Sequence, residues 1–399
     1  MPGLEAKKTI GVGLISVGFM GKLHARSYRL VQDRWPELNV DIKLVIAADP
    51  VHEAAQKAVD SLGFAQATGD YHDVINHPDV DVISVCSPNF LHHEIAMAVI
   101  AAGKHLWIEK PMGRNAQESR EIAEACAAKG LMTAVGFNYR QAPVLSHARD
   151  LIKTGQLGEI TNFRFKMMAD YVSDPDGAFT WRYERALAGS GVFGDLLSHG
   201  FDLVQYLVGN IAEVVAAKDT YIKKRMKPTK AAASHFAKTT DGEMREVENE
   251  DYAQGMVRLV GGALGTFESS RIAIGPRNDY EIEVRGTKGT IRWNQERMNE
   301  LQVCLANNPE YGFTTVLGSP GHGEYSRFQP GGGLAMGFDD LKSTEAMLFI
   351  KSVVTGEQVA PSVSDCWSTA EVTAAAERSI ESGHWEKVTQ VASGRTTSK

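Results

Sequence analysis

Thr9-Ile10-Gly11-Val12-Gly13-Leu14-Ile15, running straight into Ser16-Val17-Gly18-Phe19-Met20-Gly21, is the stretch that decides the fold. Its first seven residues are too uniformly apolar to alternate, as expected of a strand buried on both faces of a parallel sheet. A helix is predicted from about Gly21 to Val31. The turn between them has the form G-x-G-x-x-G with Ser16 in the first glycine position. Gly18 lets the backbone approach a pyrophosphate, and Gly21 lets helix and strand pack closely. The helix N-terminus adds amides and partial positive charge. Ser16 departs from the pattern, so the tight turn is expected to form without the left-handed freedom of glycine.

The sequence on either side of later strands extends this reading. Ile42–Ala48 is a second apolar strand ending in Asp49-Pro50. A carboxylate at that tip accepts both ribose hydroxyls of an adenosine and repels a 2′-phosphate, which favours NAD over NADP. Its distance from the glycines is longer than the usual ~20 residues, and a loop insertion at Trp35-Pro36-Glu37 accounts for the excess. The competing role for Asp49 is the N-cap of a helix over Val51–Leu62. Strands at Val80–Cys86, His105–Ile108 and Met132–Gly136 then alternate with helices at about Leu91–Ala102 and Asn115–Lys129, the pattern of a parallel α/β sheet. Polar residues gather at the carboxyl ends of these strands, at Asn89, Glu109, Lys110 and Asn138, where ligands of open α/β sheets sit. Pro88 and Pro111 stiffen the turns.

A second informative stretch is Gly189–Asp202. Glycines at 189, 191 and 194 precede an apolar-periodic run in which Asp195, His199, Asp202 and Tyr206 share one stripe. Asp195 and His199 are spaced one helical turn apart, so the carboxylate is expected to orient the imidazole and favour its protonated form, as in a general base. The competing reading is a solvated face whose Asp opens the helix. Around this run, a helix at Pro143–Lys153 and strands at Glu159–Ala169, Ala212–Tyr221, Tyr252–Val260, Ala263–Arg271, Tyr280–Val284, Thr290–Asn294 and Leu301–Ala306 predict a mainly antiparallel sheet with hairpins at Gly261-Gly262 and Arg285–Gly289. One face packs on helices and the other is free to meet another subunit. Lys223–Glu250 is expected to be a mobile charged loop, His322–Gly333 a loop over or near the site, and Ser393–Lys399 a disordered tail. Helices at about Asp339–Val354 and Ser364–Ser382 close the chain.

Composition sets the outer limits. The 399 residues are 43% hydrophobic and 23% charged with a formal net charge of −7, which argues for a globular protein and against nucleic acid as partner. No apolar run reaches the ~20 residues of a membrane span. Met1–Lys8 carries no hydrophobic segment, so no secretory signal and a cytoplasmic location are expected. Cys86, Cys126, Cys304 and Cys366 are scattered without a C-x-x-C pair, and the twelve histidines are equally dispersed, so reduced thiols and no metal are expected.

The motifs Gly18-Phe19-Met20-Gly21-Lys22-x-His24, Ser87-Pro88-Asn89-x-x-His92, Ala102-Gly103-Lys104-His105, Glu109-Lys110-Pro111 and Gly136-Phe137-Asn138-Tyr139-Arg140 occur in this order and spacing. Together they resemble the glucose–fructose oxidoreductase / inositol dehydrogenase / rhizopine-catabolism family, nicotinamide-dependent oxidoreductases of sugars and cyclitols, over nearly the whole chain. Trp181-Arg182, Arg277-Asn278 and Val284-x-Gly286-Thr287 look closest to its levoglucosan- and inositol-type dehydrogenases. The resemblance implies an N-terminal doubly wound Rossmann domain over residues 1–138. It also implies an α+β domain over 139–399 with a large open sheet that mediates oligomerisation as a dimer or tetramer, the helices at about 339–382 packing back on the first domain.

For the site, the resemblance implies Lys110, Asp195 and His199 as catalytic groups, His199 being the base and Lys110 holding the reacting oxygen. It implies NAD contacts from Ser16, Gly18, Phe19, Met20, Gly21, Asp49, Ser87, Pro88, Asn89, His92, Glu109, Lys110, Asn138, Trp181 and Arg182. Tyr139 and Asp170 join Asp195 and His199 in the wall for a small polyol or sugar. The expected reaction is oxidation of a ring secondary hydroxyl to the ketone. Two alternatives share the scaffold, a non-catalytic NAD-binding sugar regulator and an NAD-dependent glycosidase. Retention of Lys110, Asp195 and His199 weighs against the first, and the absence of a clear second acid–base pair against the second.

Overall fold

The computed structural model describes residues 6–229 and 237–391. Its first part alternates strictly: β1 (Lys8–Ile15), α1 (Phe19–Arg34), β2 (Val40–Ala48), α2 (His52–Lys57), β3 (Gln66–Thr68), α3 (Tyr71–Asn76), β4 (Val82–Val85), α4 (Asn89–Ala101), β5 (His105–Ile108), α5 (Ala116–Ala128) and β6 (Thr133–Val135). Among the described residues the six strands form one parallel sheet in the order β3-β2-β1-β4-β5-β6. The order reverses between β1 and β4, and the crevice outside their carboxyl ends is where such sheets bind ligands. Ile10, Val12 and Leu14 of β1 pack under α1 against Tyr28 and Val31. Gly11 and Gly13 face the other side, where a Cβ would run into the Asp79 carbonyl or the Val74 side chain. The uninterrupted apolar run is therefore two alternating sets, each buried.

The chain continues through α6 (Pro143–Lys153), β7 (Ile160–Ala169), α7 (Arg185–Ala188), α8 (Ser198–Leu207), β8 (Ile211–Asp219), β9 (Lys224–Pro228), β10 (Gly242–Glu246), β11 (Tyr252–Leu259), β12 (Leu264–Ser270), β13 (Asn278–Gly286), β14 (Gly289–Asn294), β15 (Glu300–Leu305), β16 (Thr314–Leu317), α9 (Phe338–Thr355), α10 (Val363–Ser382) and β17 (Glu386–Lys387). Nine of these strands, among the described residues, form a mixed sheet in the order β16-β15-β14-β13-β7-β12-β11-β8-β17, antiparallel except where β7 meets β12. Phe163, Phe165 and Met167 of β7 alternate inward onto Phe201, Leu203 and Val204 of α8. Gly200 is the point of closest approach, its Cβ position being filled by the Phe165 ring. α9 returns to the first sheet, adding Ala346, Met347, Phe349 and Ile350 to the core beneath α1.

Two expectations change. Lys223–Glu250 is not simply a loop: β9 and β10 pair as an antiparallel ribbon from Lys224↔Glu246 to Pro228↔Gly242, with residues 230–236 outside the described part. The buried Arg225 guanidinium anchors that ribbon by donating to the carbonyls of Val172 and Asp174. The 322–333 segment lies not over the site but at the far end of α1, where Trp35 donates to Glu324 and Arg327 pairs with Glu37. An α-helix of 16 residues puts that end about 24 Å from the glycine turn. β3 and α3, at 66–76, fall in a stretch too short and polar to show a period. The expected tail at Ser393–Lys399 lies outside the described residues.

Candidate active site

The turn after β1 is built for backbone recognition. Ser16 adopts φ +75, so it takes the left-handed conformation it was expected to avoid. The turn demands that geometry, and a serine pays roughly 1 kcal/mol relative to glycine. Gly18 caps α1 without any side-chain cap bond, whereas α3, α5 and α10 are capped by Asp70, Asn115 and Ser362. The first amides of α1 are left for a ligand, and a Cβ on Gly18 would meet nothing within 4 Å. Phe19 is 71% exposed at the same lip, and Met20 is half-buried. Asp49 is buried at the tip of β2, where its carboxylate accepts from the Val17 and Val51 amides at 2.8 and 2.9 Å. It thus braces the glycine turn, and the residue capping α2 is Val51.

Two buried polar atoms beyond the ends of β4 and β6, on either side of β5, Ser87 Oγ and Asn138 Nδ2, have no partner among the described residues. Together with the open Gly18, the uncapped helix and Asp49, they fit a dinucleotide along this edge. Asn89, at the start of α4 after Pro88, donates to the Ala188 carbonyl at 3.3 Å. Asn89, Trp181, Arg182, Tyr171 and Asp195 line one pocket. There the Arg182 guanidinium stacks on Trp181 at 4.4 Å, and its charge is felt by Asp195.

The three residues expected to be catalytic come from three elements. Lys110 follows β5 and donates to both the backbone carbonyl (2.7 Å) and the carboxylate (3.1 Å) of Asp195. Asp195 lies in a wide π-type turn, Phe193–Leu197, that precedes α8. Its other carboxylate oxygen accepts from the Tyr171 hydroxyl. Burial raises the Asp195 pKa, but the charges of Lys110 and Arg182 and the two hydrogen bonds outweigh it and hold the group far below the carboxylate range. His199 is buried beside Tyr139 (ring centroids 4.6 Å) and Phe137 (5.9 Å), and its carbonyl accepts from the Tyr280 hydroxyl at 2.6 Å. Burial first, then Lys110, push its pKa well below the ordinary histidine value, against Glu109 and Asp195.

This corrects the expected Asp–His pair. The widened turn directs the Asp195 carboxylate to Lys110 and Tyr171, and the imidazole is kept neutral rather than protonated. The stripe is not a solvated face either: Asp202 is buried in an ion pair with Arg140, its Oδ2 2.7 Å from Nε.

Other anticipated residues take different posts. The Glu109 carboxylate turns inward to His24 and Lys342. Both ring nitrogens of the buried His92 stand within 2.8 Å of the Ser87 and Pro111 carbonyls, so it ties two strand-end turns together. Asp170 pairs with Arg277 at 2.6 Å, and Tyr139 Oη lies 3.4 Å from Asn278 Nδ2. Sequence reasoning missed Tyr171, although it adjoins Asp170 just past the end of β7, and it missed Lys342, which only the return of α9 brings near β5. Among the described residues no cluster of three His, Cys, Asp or Glu fits a metal ion.

Comparison with known proteins agrees with this fold. Residues 10–137 match the model described as "Oxidoreductase family, NAD-binding Rossmann fold", and residues 145–292 match "GFO/IDH/MocA C-terminal domain". The chain is 35% identical to levoglucosan dehydrogenase of Pseudarthrobacter phenanthrenivorans, over 96% of this chain and 99% of that one. It is 26% identical to myo-inositol 2-dehydrogenase of Thermotoga maritima, over 95% and 99% of the two chains. A solved structure of levoglucosan dehydrogenase with NADH and levoglucosan superposes with a TM-score of 0.90 at 33% identity, covering 96% of this chain and all of that one.

Proposed function

The chain belongs to the GFO/IDH/MocA family as an NAD-dependent oxidoreductase of the sugar and inositol dehydrogenase type, and from that premise we propose that it oxidises a secondary ring hydroxyl of a pyranose, anhydrosugar or inositol to the ketone. The observation that carries this reading is the convergence of Lys110 from β5, Asp195 from the π-type turn and neutral His199 from α8. NAD⁺ supplies the carbon that accepts the hydride. Gly18, the free amides of α1 and Asp49 hold its phosphates and ribose, and Ser87 and Asn138 offer their unpartnered polar atoms to it. His199, uncharged at neutral pH, takes the hydroxyl proton as the C–H hydride departs. Lys110 holds the hydroxyl oxygen and stabilises the charge developing on it. Asp195, kept ionised by Lys110, Arg182 and Tyr171, holds the lysine in place. Tyr139, Asp170 and Asn278 border the ring.

Similarity to levoglucosan dehydrogenase makes levoglucosan the first substrate to try, with inositols next. The outward face of the large sheet, with Met256 and Leu264 exposed, is the surface we assign to a second copy. The test is purified protein with NAD⁺ and a panel of levoglucosan, pyranoses and inositols. Net NADH formation with a ring polyol is expected. Glycoside cleavage without net NADH, or NAD⁺ binding with neither reaction, contradicts the reading.

A further inference from the structure

Adjacent residues past the end of β5 serve two different neighbourhoods. Lys110 reaches Asp195 in the cleft, while Glu109 Oε1 takes hydrogen bonds from His24 Nε2 at 2.9 Å and Lys342 Nζ at 2.8 Å. Lys342 donates also to Glu345 at 2.9 Å, and the Trp107 indole donates to the same carboxylate oxygen at 2.9 Å. His24, Lys342 and Glu345 are fully buried. Tyr28 of α1, Cys86 beyond β4 and Tyr139 are further titratable groups that feel these charges. The Glu109 carboxylate fills the space a Cβ on Gly136 would need. Well-packed apolar residues usually serve stability as well as such a buried ionic cluster. What apolar residues do not supply is a fixed, charged point one residue from Lys110.

We propose that Lys342 is a positioning residue for the reaction: by holding Glu109 it fixes the end of β5, and with it Lys110, against Asp195. Its charge is felt at His199 as well, where Lys110 and Lys342 favour the neutral ring while Glu109 and Asp195 oppose them. Tyr139, Phe137 and the Tyr280 hydroxyl are the other groups packed on that residue. This inference rests on the reading of His199 as the base.

The test compares wild type, Lys342→Met, Glu109→Gln and His199→Asn as intact proteins, with NAD⁺ and the panel polyol that is oxidised fastest. Lys342→Met is expected to keep its NAD⁺ dissociation constant within about threefold and to lose kcat by about tenfold or more. The acid limb of its kcat–pH profile moves upward by about half a pH unit or more, because a positive charge disfavouring protonated His199 is gone. Glu109→Gln moves the limb downward. A Lys342→Met enzyme with wild-type kcat and an unmoved limb overturns the proposal, as does movement of both limbs in one direction. Should Lys342→Met not fold, Glu109→Gln decides alone, a lowered limb supporting the proposal and an unmoved one overturning it. If His199→Asn keeps the wild-type limb, the base reading fails, and Lys342 is then judged on the loss of kcat.

Discussion

Gly18 and Gly21 are three residues apart and respond to an added methyl group in opposite ways. At Gly18 φ is −70 and a Cβ meets nothing, so Gly18→Ala is expected to fold with an unchanged melting temperature. It should weaken NAD⁺ by about tenfold or more, because the methyl occupies the pyrophosphate's approach. At Gly21 a Cβ collides with the Ser16 carbonyl, and Gly21→Ala should lose about 1–3 kcal/mol of stability in a denaturant titration. A second residue-scale prediction concerns Tyr171. Tyr171→Phe removes a hydrogen bond to a charged carboxylate, worth about 1.5–3 kcal/mol, and kcat/KM should drop about tenfold with NAD⁺ affinity retained. The positions of Lys110 at a strand end and of Asp195 and His199 at a glycine-loosened helix start were legible in the sequence itself, while the catalytic roles proposed for them came from the family resemblance. Tyr171 was not, since an Asp-Tyr pair past a strand shows nothing of which member faces the cleft. The Asp195–His199 spacing was legible, but its consequence was not. A π-type turn is set by packing, and it directs the carboxylate to Lys110.

At the scale of elements, the boundaries of long periodic segments were readable and those of short ones were not. β7 and α6 fall within one residue of where their patterns end, whereas the β9–β10 ribbon, anchored by Arg225, is highly charged and reads as a loop. α9 was foreseen as a helix. Its cargo of Lys342 and Glu345 for the first sheet was not, because pairing over more than two hundred residues leaves no local signal. That docking has a measurable pH signature. Burial raises the Glu345 pKa to about 7, so its preference for the folded state is complete below 4.5 and fades as pH rises through 7. Burial lowers His24 to about 4, so the unfolded chain gains protons relative to the folded one as pH falls from 6.5 to 4. The two contributions oppose each other over the same window and nearly offset in the wild type. Glu345→Gln removes one of them. Between pH 7 and 4.5 its unfolding free energy should fall by about 2–3 kcal/mol more than that of wild type in urea titrations. Equal slopes would show that Glu345 does not titrate in this window on folding.

For the molecule as a whole, Lys110 beyond β5 of the six-stranded sheet and Tyr171 beyond β7 of the nine-stranded sheet both reach the Asp195 carboxylate, so neither part holds the proposed site alone. The open face of the large sheet supports a further prediction. The protein should run as a dimer or tetramer in light scattering, and Met256→Glu with Leu264→Lys should shift it toward monomer. No helix among the described residues is long and apolar enough to cross a membrane. The central claim is that His199 and Lys110 handle the hydroxyl proton and oxygen while NAD⁺ takes the hydride. The most direct measurement is the rate of NADH formation from levoglucosan or an inositol by wild type, Lys110→Ala and His199→Ala, with NAD⁺ binding measured in parallel. The account predicts that both variants still bind NAD⁺ and form NADH at least about a thousandfold more slowly. A wild-type rate in either variant would contradict it.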